Sequence, residues 1–532
     1  MRQARAAGVV VTLLIAGAII RVLLQLPLHR WAGEGDCAVT AFGAWEILAG
    51  DPRIFVSTGV RQGALASYFA AAASFLVGSS RAALALEVLA VGLVQMFLWW
   101  LALLELVGEK AGTSTSTRLL LFVVLPSPAF LYWAIYWPTG YPEQLLAATL
   151  VLWTGARLWR RGGWLELLGF GLACGIAFWM TMLTLMVSVP LVVWLCLQRQ
   201  RNLLSPSGVA IWSSGAIAGA LPWLCFNLRY GWVSLNQNWA AQPISGGKAL
   251  GGNLRRFLGE VLPTLFGAAN QASPLPPVTS AERYFGWGAL ILVVMVSVVL
   301  AGELFRSREL DRPEPVKDLA RLVGLAAGVT GLSAMLFAFS AAATGPGNIV
   351  RYVLSIFLVW PLAFALAWKV AGRRTRCALG CFATIAAAGY AAAVPWPFKD
   401  EREQLHAALQ VEVQMVERLR AEKVGVIFGS YWEAYPLIFE SEGGLGGATL
   451  EPEDDFHRFA ERLPAGPCKW ALVAGNRKGI RIAQSAGFSG KEVGFADGRW
   501  LFLPLKERSP RPEAPTCGET LARLRTAFYR QS

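Results

Sequence analysis

Long unbroken apolar runs, rather than alternating ones, occupy the first three quarters of the chain. Runs at 8–28, 82–107, 118–137, 142–160, 165–180, 183–198, 208–228, 284–304, 319–343, 350–371 and 377–396 approach the roughly 20 residues that carry an α-helix across a bilayer. They predict eleven spans. The runs 165–180 and 183–198 are short enough to form a hairpin that does not fully cross, and 63–78 is short enough to lie at the membrane surface or re-enter. Pro222 predicts a kink near one end of the span 208–228. The first run follows Arg2 and Arg5 and ends in Leu26-Pro27-Leu28-His29-Arg30. It has no small-residue cleavage site and reads as a retained span.

The pattern changes after Phe398. Residues 399–423 read as an amphipathic helix with Leu405, Leu409, Val413, Val416 and Leu419 on one face. Val424–Phe428 and Trp470–Val473 read as strands, and 492–495 with 500–503 as a hairpin turning through Asp497-Gly498. The expected fold is therefore mainly α. Residues 1–398 form a polytopic membrane helical bundle of about eleven spans with outer loops 29–81 and 229–283, and residues 399–532 form a small α/β extracytoplasmic domain.

Composition agrees. Of 532 residues, 55% are hydrophobic and 16% charged, against about a quarter charged in soluble domains. The formal charge of +13 does not point to nucleic acid, because the basic residues cluster in short links between apolar runs: Arg157, Arg160 and Arg161; Arg199 and Arg201; Arg306, Arg308, Arg312 and Lys317; Arg373, Arg374 and Arg376. With a cytoplasmic N-terminus all of these fall inside, as the orientation rule for membrane helices expects, and the C-terminal domain falls outside. Three scattered histidines and the absence of paired CxxC motifs argue against a structural zinc site. Cys468 and Cys517 lie in the outer domain and could pair in an oxidising compartment.

Four outward features carry candidate chemistry. Asp36, with Glu34 before it, follows the first span and precedes Ala38–Leu48, which reads as a short amphipathic helix through Val39, Phe42, Trp45 and Leu48. A carboxylate there either caps that helix or acts on a lipid-borne substrate. Glu143, in Trp137-Pro138-Thr139-Gly140-Tyr141-Pro142-Glu143, either complements the helix dipole and faces headgroups or is a buried functional acid. Arg351-Tyr352 begins a late span on the outer side. Arginine suits a phosphate, or it snorkels to headgroups. The Pro222 region completes the set. No GxxxxGK[ST] nucleotide loop occurs. Many of the 54 glycines lie inside runs, where they allow helices to approach closely.

These features suit sugar transfer from a polyprenyl phosphate. An acceptor hydroxyl attacks the anomeric carbon, a carboxylate takes the proton, and a cation steadies the departing phosphate. Several motifs occur in order: Gly35-Asp36-Cys37-Ala38 leading to Ile47-Leu48-Ala49-Gly50; Gly63-Ala64-Leu65-Ala66-Ser67-Tyr68; Trp133 with Gly140-Tyr141-Pro142-Glu143; Arg351-Tyr352; and Tyr431-Trp432-Glu433-Ala434-Tyr435. In these the chain resembles the GT-C glycosyltransferases, in the bacterial branch similar to protein mannosyltransferases and lipid A aminoarabinose transferases. The resemblance implies that Asp36 is the catalytic carboxylate and that Arg351, with Tyr352, sits near the lipid phosphate. Glu34, Tyr141 and Glu143 are the candidates for substrate binding. The implied partners are a polyprenyl-phosphate sugar donor, membrane lipids and an extracytoplasmic acceptor, with inverting transfer at a bacterial inner membrane and no certain cofactor. Cys37 and Ala66 stand where the family often carries Glu, which weakens any divalent metal held by several carboxylates and raises the question of altered activity. The alternatives are a transporter or flippase of lipid-linked glycans, or a non-catalytic family member. The first would show related halves and charged or broken helices at mid-membrane. The aromatic residues Tyr431, Trp432 and Tyr435 can stack on sugars or simply pack in a core.

Overall fold

The structure is a computed structural model. It describes residues 2–28, 35–55, 62–78, 81–107, 120–135, 140–198, 201–236, 247–266, 291–292, 295–296, 314–338, 353–393, 410–441, 444–450, 463–464, 468–504 and 515–531. The chain forms two compact units: Met1–Leu26, Val88–Tyr136 and Gly140–Asp400, and Pro27–Glu87, Trp137–Thr139 and Glu401–Ser532. The expected architecture, mainly helical with a small C-terminal sheet, is present.

In the first unit the apolar runs form helices Arg2–Leu28, Arg81–Val107 (completed from the second unit's range), Tyr141–Arg161, Trp164–Met180, Leu185–Leu197, Pro206–Gly219, Leu221–Tyr230, Glu314–Ala338, Ser355–Val370 and Arg373–Ala393. The run 284–304 lies almost wholly outside the described residues. Among those described, one helix, Arg81–Val107, is by itself long and apolar enough to cross a membrane. The pair Pro206–Gly219 and Leu221–Tyr230, bent by 68°, makes a second if taken as one broken span. The bend falls at the predicted Pro222, which cannot donate its missing N–H and crowds the preceding turn. The expected unbroken span 118–137 is interrupted at 125–127, after which Pro128–Ile135 is a separate helix. Pro126 and Pro128 disfavour helical backbone in the residues before them. Ser127 caps the new helix, accepting from the Phe130 N–H at 3.2 Å.

Glycine sets the closest helix approach. Gly171 and Gly175 on Trp164–Met180 face Gly215 and Gly219 on Pro206–Gly219. A Cβ on Gly175 would sit 2.1 Å from the Ala216 carbonyl oxygen, and one on Gly219 would sit 2.3 Å from that of Leu172. Backbone meets backbone, as small residues four apart permit in membrane helices. At the basic end of Tyr141–Arg161, Arg160 donates to the Glu105 and Leu106 carbonyls at 2.8 and 3.1 Å, satisfying the open end of Arg81–Val107. Arg21, 0% exposed inside the first helix, donates to the Val123 carbonyl at 3.3 Å and approaches the Met96 sulfur at 3.0 Å. It ties three helices with a side chain that is costly to bury without partners.

The C-terminal part of the second unit is a five-stranded sheet of order β2-β1-β3-β5-β4, with β1 Val426–Gly429, β2 Gly446–Thr449, β3 Trp470–Ala474, β4 Gly490–Gly494 and β5 Trp500–Pro504. The β1–β3 and β1–β2 pairs are parallel, while β3–β5 and β4–β5 are antiparallel. The predicted hairpin is β4–β5, closed where Gly498 adopts φ +87°. Strand β2 was not foreseen, because Gly446 and Gly447 read as loop. Glycine is nonetheless required there, since a Cβ on Gly447 would meet the Ile427 carbonyl oxygen at 2.6 Å. Phe428, Trp470, Phe488 and Phe502 fill the core, with Trp470 and Phe488 rings 4.9 Å apart edge-on. Cys468 and Cys517 form a disulfide with Cα atoms 5.6 Å apart, joining the approach to β3 to helix Cys517–Gln531. On the other side, Glu412 is buried and accepts from Arg499 at 3.1 Å. Burial pushes its carboxyl above the ordinary 4.5, against the pull of Arg499 and Arg81.

Three outcomes follow. Gly175→Ala should lower the melting temperature in detergent, an overpacking cost of roughly 1–3 kcal/mol. Gly169→Ala on the same helix, where a Cβ meets nothing within 4 Å, should hold or raise it through helix propensity. Denatured protein should titrate six thiols before reduction and eight after. Because the folded state holds the Glu412 proton more tightly than the unfolded chain, this group's contribution to stability is fullest below pH 4.5 and declines as pH rises through the raised value. A Glu412→Gln variant should show a shallower fall in melting temperature over that window, and an unchanged slope would contradict the assignment.

Candidate functional site

Asp36 lies in helix Gly35–Leu48. The helix starts one residue before it, so Asp36 stands in the first turn rather than ahead of the helix as a capping residue would. A carboxylate in the first turn complements the positive end of the helix dipole. Its side chain is outside the described residues, as is the whole of Glu34.

The helix is not the half-exposed surface helix its apolar pattern suggested. Every residue from Cys37 to Ala44 is buried. The reason is that it has neighbours on several sides within the second unit. Against Leu65–Val77 the approach is close enough that a Cβ on Gly43 would sit 2.4 Å from the Ser67 hydroxyl oxygen. Against Tyr431–Glu440, the Phe42 ring meets Tyr435 edge-on at 5.7 Å and Trp45 stacks on Phe439 at 5.7 Å with planes 15° apart. Only toward its C-terminal end does the helix open, with Leu48 exposed. There Arg53 pairs with Glu46. Arg81, the first residue of helix Arg81–Val107, pairs with Glu440 at the end of Tyr431–Glu440. Helix Leu65–Val77 and the C-terminal domain thus build one frame around the Asp36 helix.

Tyr435 is a core residue, 0% exposed, and packs on Phe42 rather than offering a free face to sugar. The side chains of Tyr431 and Trp432 lie outside the described residues. Cys37 and Ala66 are packing positions, each 0% exposed on the two helices that meet at Gly43. Small apolar side chains fit that contact, where buried carboxylates would need partners. Among the described residues no group of three or more His, Cys, Asp or Glu could hold a metal ion.

In the first unit, Gly140 adopts φ +88° and Pro142 follows Tyr141 at the start of Tyr141–Arg161. The left-handed turn suits glycine, and proline suits the first helical turn. This arrangement carries Glu143 inward. The side chain is 0% exposed, so the headgroup-facing alternative does not hold. Tyr141, 7% exposed, packs edge-on against Trp133 at 4.9 Å, and Trp133 against Tyr132 at 5.2 Å. A carboxylate at a helix N-terminus gains from the dipole but still costs energy to bury. Trp137, Pro138 and Thr139 are outside the described residues. So are Arg351 and Tyr352, although helix Ser355–Val370 begins just beyond them.

No family model matches the sequence, and no curated protein matches it. Among solved structures the chain is similar in fold to ArnT from Cupriavidus metallidurans bound to undecaprenyl phosphate, with TM-score 0.62 and 13% identity over 94% of this chain and 99% of that one. The apo form of that protein gives TM-score 0.58 and 13% identity over 92% and 97%. The archaeal oligosaccharyltransferase AglB from Archaeoglobus fulgidus, in complex with an inhibitory peptide and a dolichol-phosphate, gives 0.49 and 11% over 98% and 78%. The chain thus shares the fold of the GT-C glycosyltransferase ArnT along nearly its whole length.

Proposed function

We propose that the chain is an integral membrane glycosyltransferase that moves a sugar from a polyprenyl-phosphate donor to an extracytoplasmic acceptor. The observation that carries the reading is likeness of fold over 94% of the chain to a protein bound to undecaprenyl phosphate. The acid in the first turn of a tightly framed helix supports it. In this reading the helices make about eleven spans with the N-terminus in the cytoplasm. The loop 29–81 and residues 399–532 lie outside, in keeping with the Cys468–Cys517 disulfide and an oxidising compartment.

The chemistry needs three groups. Asp36 accepts the proton of the acceptor hydroxyl as its oxygen attacks the anomeric carbon. The bond from that carbon to the phosphate oxygen breaks, and the electron pair leaves with the polyprenyl phosphate. Arg351, with Tyr352 beside it, binds the phosphate through charge-assisted hydrogen bonds that strengthen as charge develops. Glu34, Tyr141 and Glu143 orient the sugar or the acceptor. No divalent metal is required by these steps.

The test is transfer by purified protein from a polyprenyl-phosphate sugar to an envelope extract. Asp36→Asn should reduce the rate by roughly 10²–10⁴, with unchanged protease accessibility of the C-terminal domain in membrane vesicles. Retained transfer by a correctly inserted variant would remove Asp36 from the base role. Transbilayer movement of a lipid-linked glycan without sugar transfer would favour the transporter reading.

A further inference from the structure

Helix Leu65–Val77 carries no charged residue, and its two ends differ. Its body packs through small side chains, with Ala66, Ser67, Ala70, Ala71, Ala73 and Ser74 buried, and it meets the Asp36 helix where Gly43 faces Ser67. Its last turn is uncovered. Phe75 is 81% exposed, Leu76 74% and Val77 48%. Among the described residues of the second unit the other large apolar side chains so exposed are Leu48 and Val413, which are single positions. Isolated apolar residues on a surface need no explanation, whereas a contiguous cluster does. Successive helical residues point about 100° apart, so positions 75, 76 and 77 do not mark one bare face. The whole tip projects, and the helix stops at Gly78, where φ is +84°.

The place of this tip along the chain decides what covers it. Val77 and Arg81 are four steps apart, so the tip lies within about 14 Å of Arg81. Arg81 opens the one described helix that is by itself long and apolar enough to cross a membrane. With 27 residues that helix is about 40 Å long, against roughly 30 Å of hydrocarbon. Its first side chain pairs with Glu440 of the C-terminal domain, which sets Arg81 at headgroup level. We propose, resting on the reading of the chain as a membrane protein, that the last turn of Leu65–Val77 is inserted into the outer leaflet of the bilayer. Phe75, Leu76 and Val77 lie among the upper acyl chains. The depth follows from the backbone. The last carbonyls of a helix need donors from outside it, and hydrocarbon has none. The backbone therefore stays among the headgroups and the side chains alone reach into the acyl boundary, as in helices seated at an interface. The tip then holds this helix, and the Asp36 helix packed on it, at a fixed height over the lipid surface.

The experiment is photo-cross-linking of the full-length protein in phosphatidylcholine vesicles that contain a phosphatidylcholine with a diazirine on its acyl chain. Trypsin cuts after Arg61, Arg81 and Lys110, so peptide 62–81 carries the tip and peptide 82–110 carries the spanning helix. Both peptides should bear lipid adducts, those on 62–81 mapping to Phe75, Leu76 and Val77. Phe75→Ser with Leu76→Ser should cut the yield on 62–81 by about tenfold or more, since the apolar surface that draws the tip into lipid is lost, and should leave the yield on 82–110 unchanged. An unlabelled 62–81 beside a labelled 82–110 would overturn the proposal and leave the tip to a protein partner. Adducts on 62–81 from a headgroup diazirine but not from the acyl-chain one, or an undiminished yield in the double serine variant, would overturn it as well. If neither peptide is labelled, the chain is not inserted, and the membrane reading falls together with the proposal.

Discussion

The structure depends on how the helix carrying Asp36 is clamped. Residues 37–44 are buried throughout, with Gly43 against Ser67 on one neighbour and Phe42 against Tyr435 on another. A carboxylate on a free surface helix would move with it, and its distance to a substrate would fluctuate. A base contributes to rate only when it is held within hydrogen-bond reach of the proton it takes. In the proposed role of Asp36, packing of its helix against Leu65–Val77 and Tyr431–Glu440 would supply that rigidity, and the Arg81–Glu440 and Arg53–Glu46 pairs fasten the rim. Helix Tyr431–Glu440 of the C-terminal domain is then part of the frame of the Asp36 helix.

The helical first unit solves a different problem. Its close contacts need complementary shape and partners for backbone groups. The Gly171, Gly175, Gly215 and Gly219 contact answers the first need. Arg160 closing the end of a neighbouring helix, and Arg21 reaching a carbonyl on another, answer the second. Where proline removes a hydrogen bond, as at Pro126, Pro128 and Pro222, the chain breaks and is recapped.

Much of this was legible in the sequence because it is local. Run length gives the helices, Asp497-Gly498 gives the hairpin, and Pro222 gives the bend. What was not legible depends on partners far along the chain. The pattern Val39, Phe42, Trp45 and Leu48 is the same whether a helix floats at a surface or is enclosed, and its enclosing rings, Tyr435 and Phe439, come almost 400 residues later. Strand β2 looks like a glycine loop until β1 is beside it. The span expected over 118–137 is broken because Pro126 and Pro128 override its apolar content. Glu143 was balanced between solvent and interior, and only the turn at Gly140 turns it inward. Cys37 and Ala66, which read as lost carboxylates, are the small side chains that a tight helix contact accepts.

The central claim is that this chain adds a sugar to something outside the membrane. Mass spectrometry of envelope glycans and lipid A from cells with and without the protein tests it most directly. The account predicts one species whose mass falls by a single sugar when the protein is absent and recovers when the wild-type chain is restored. Identical spectra in the two strains, with the lipid carrier sugar present in both, would contradict it.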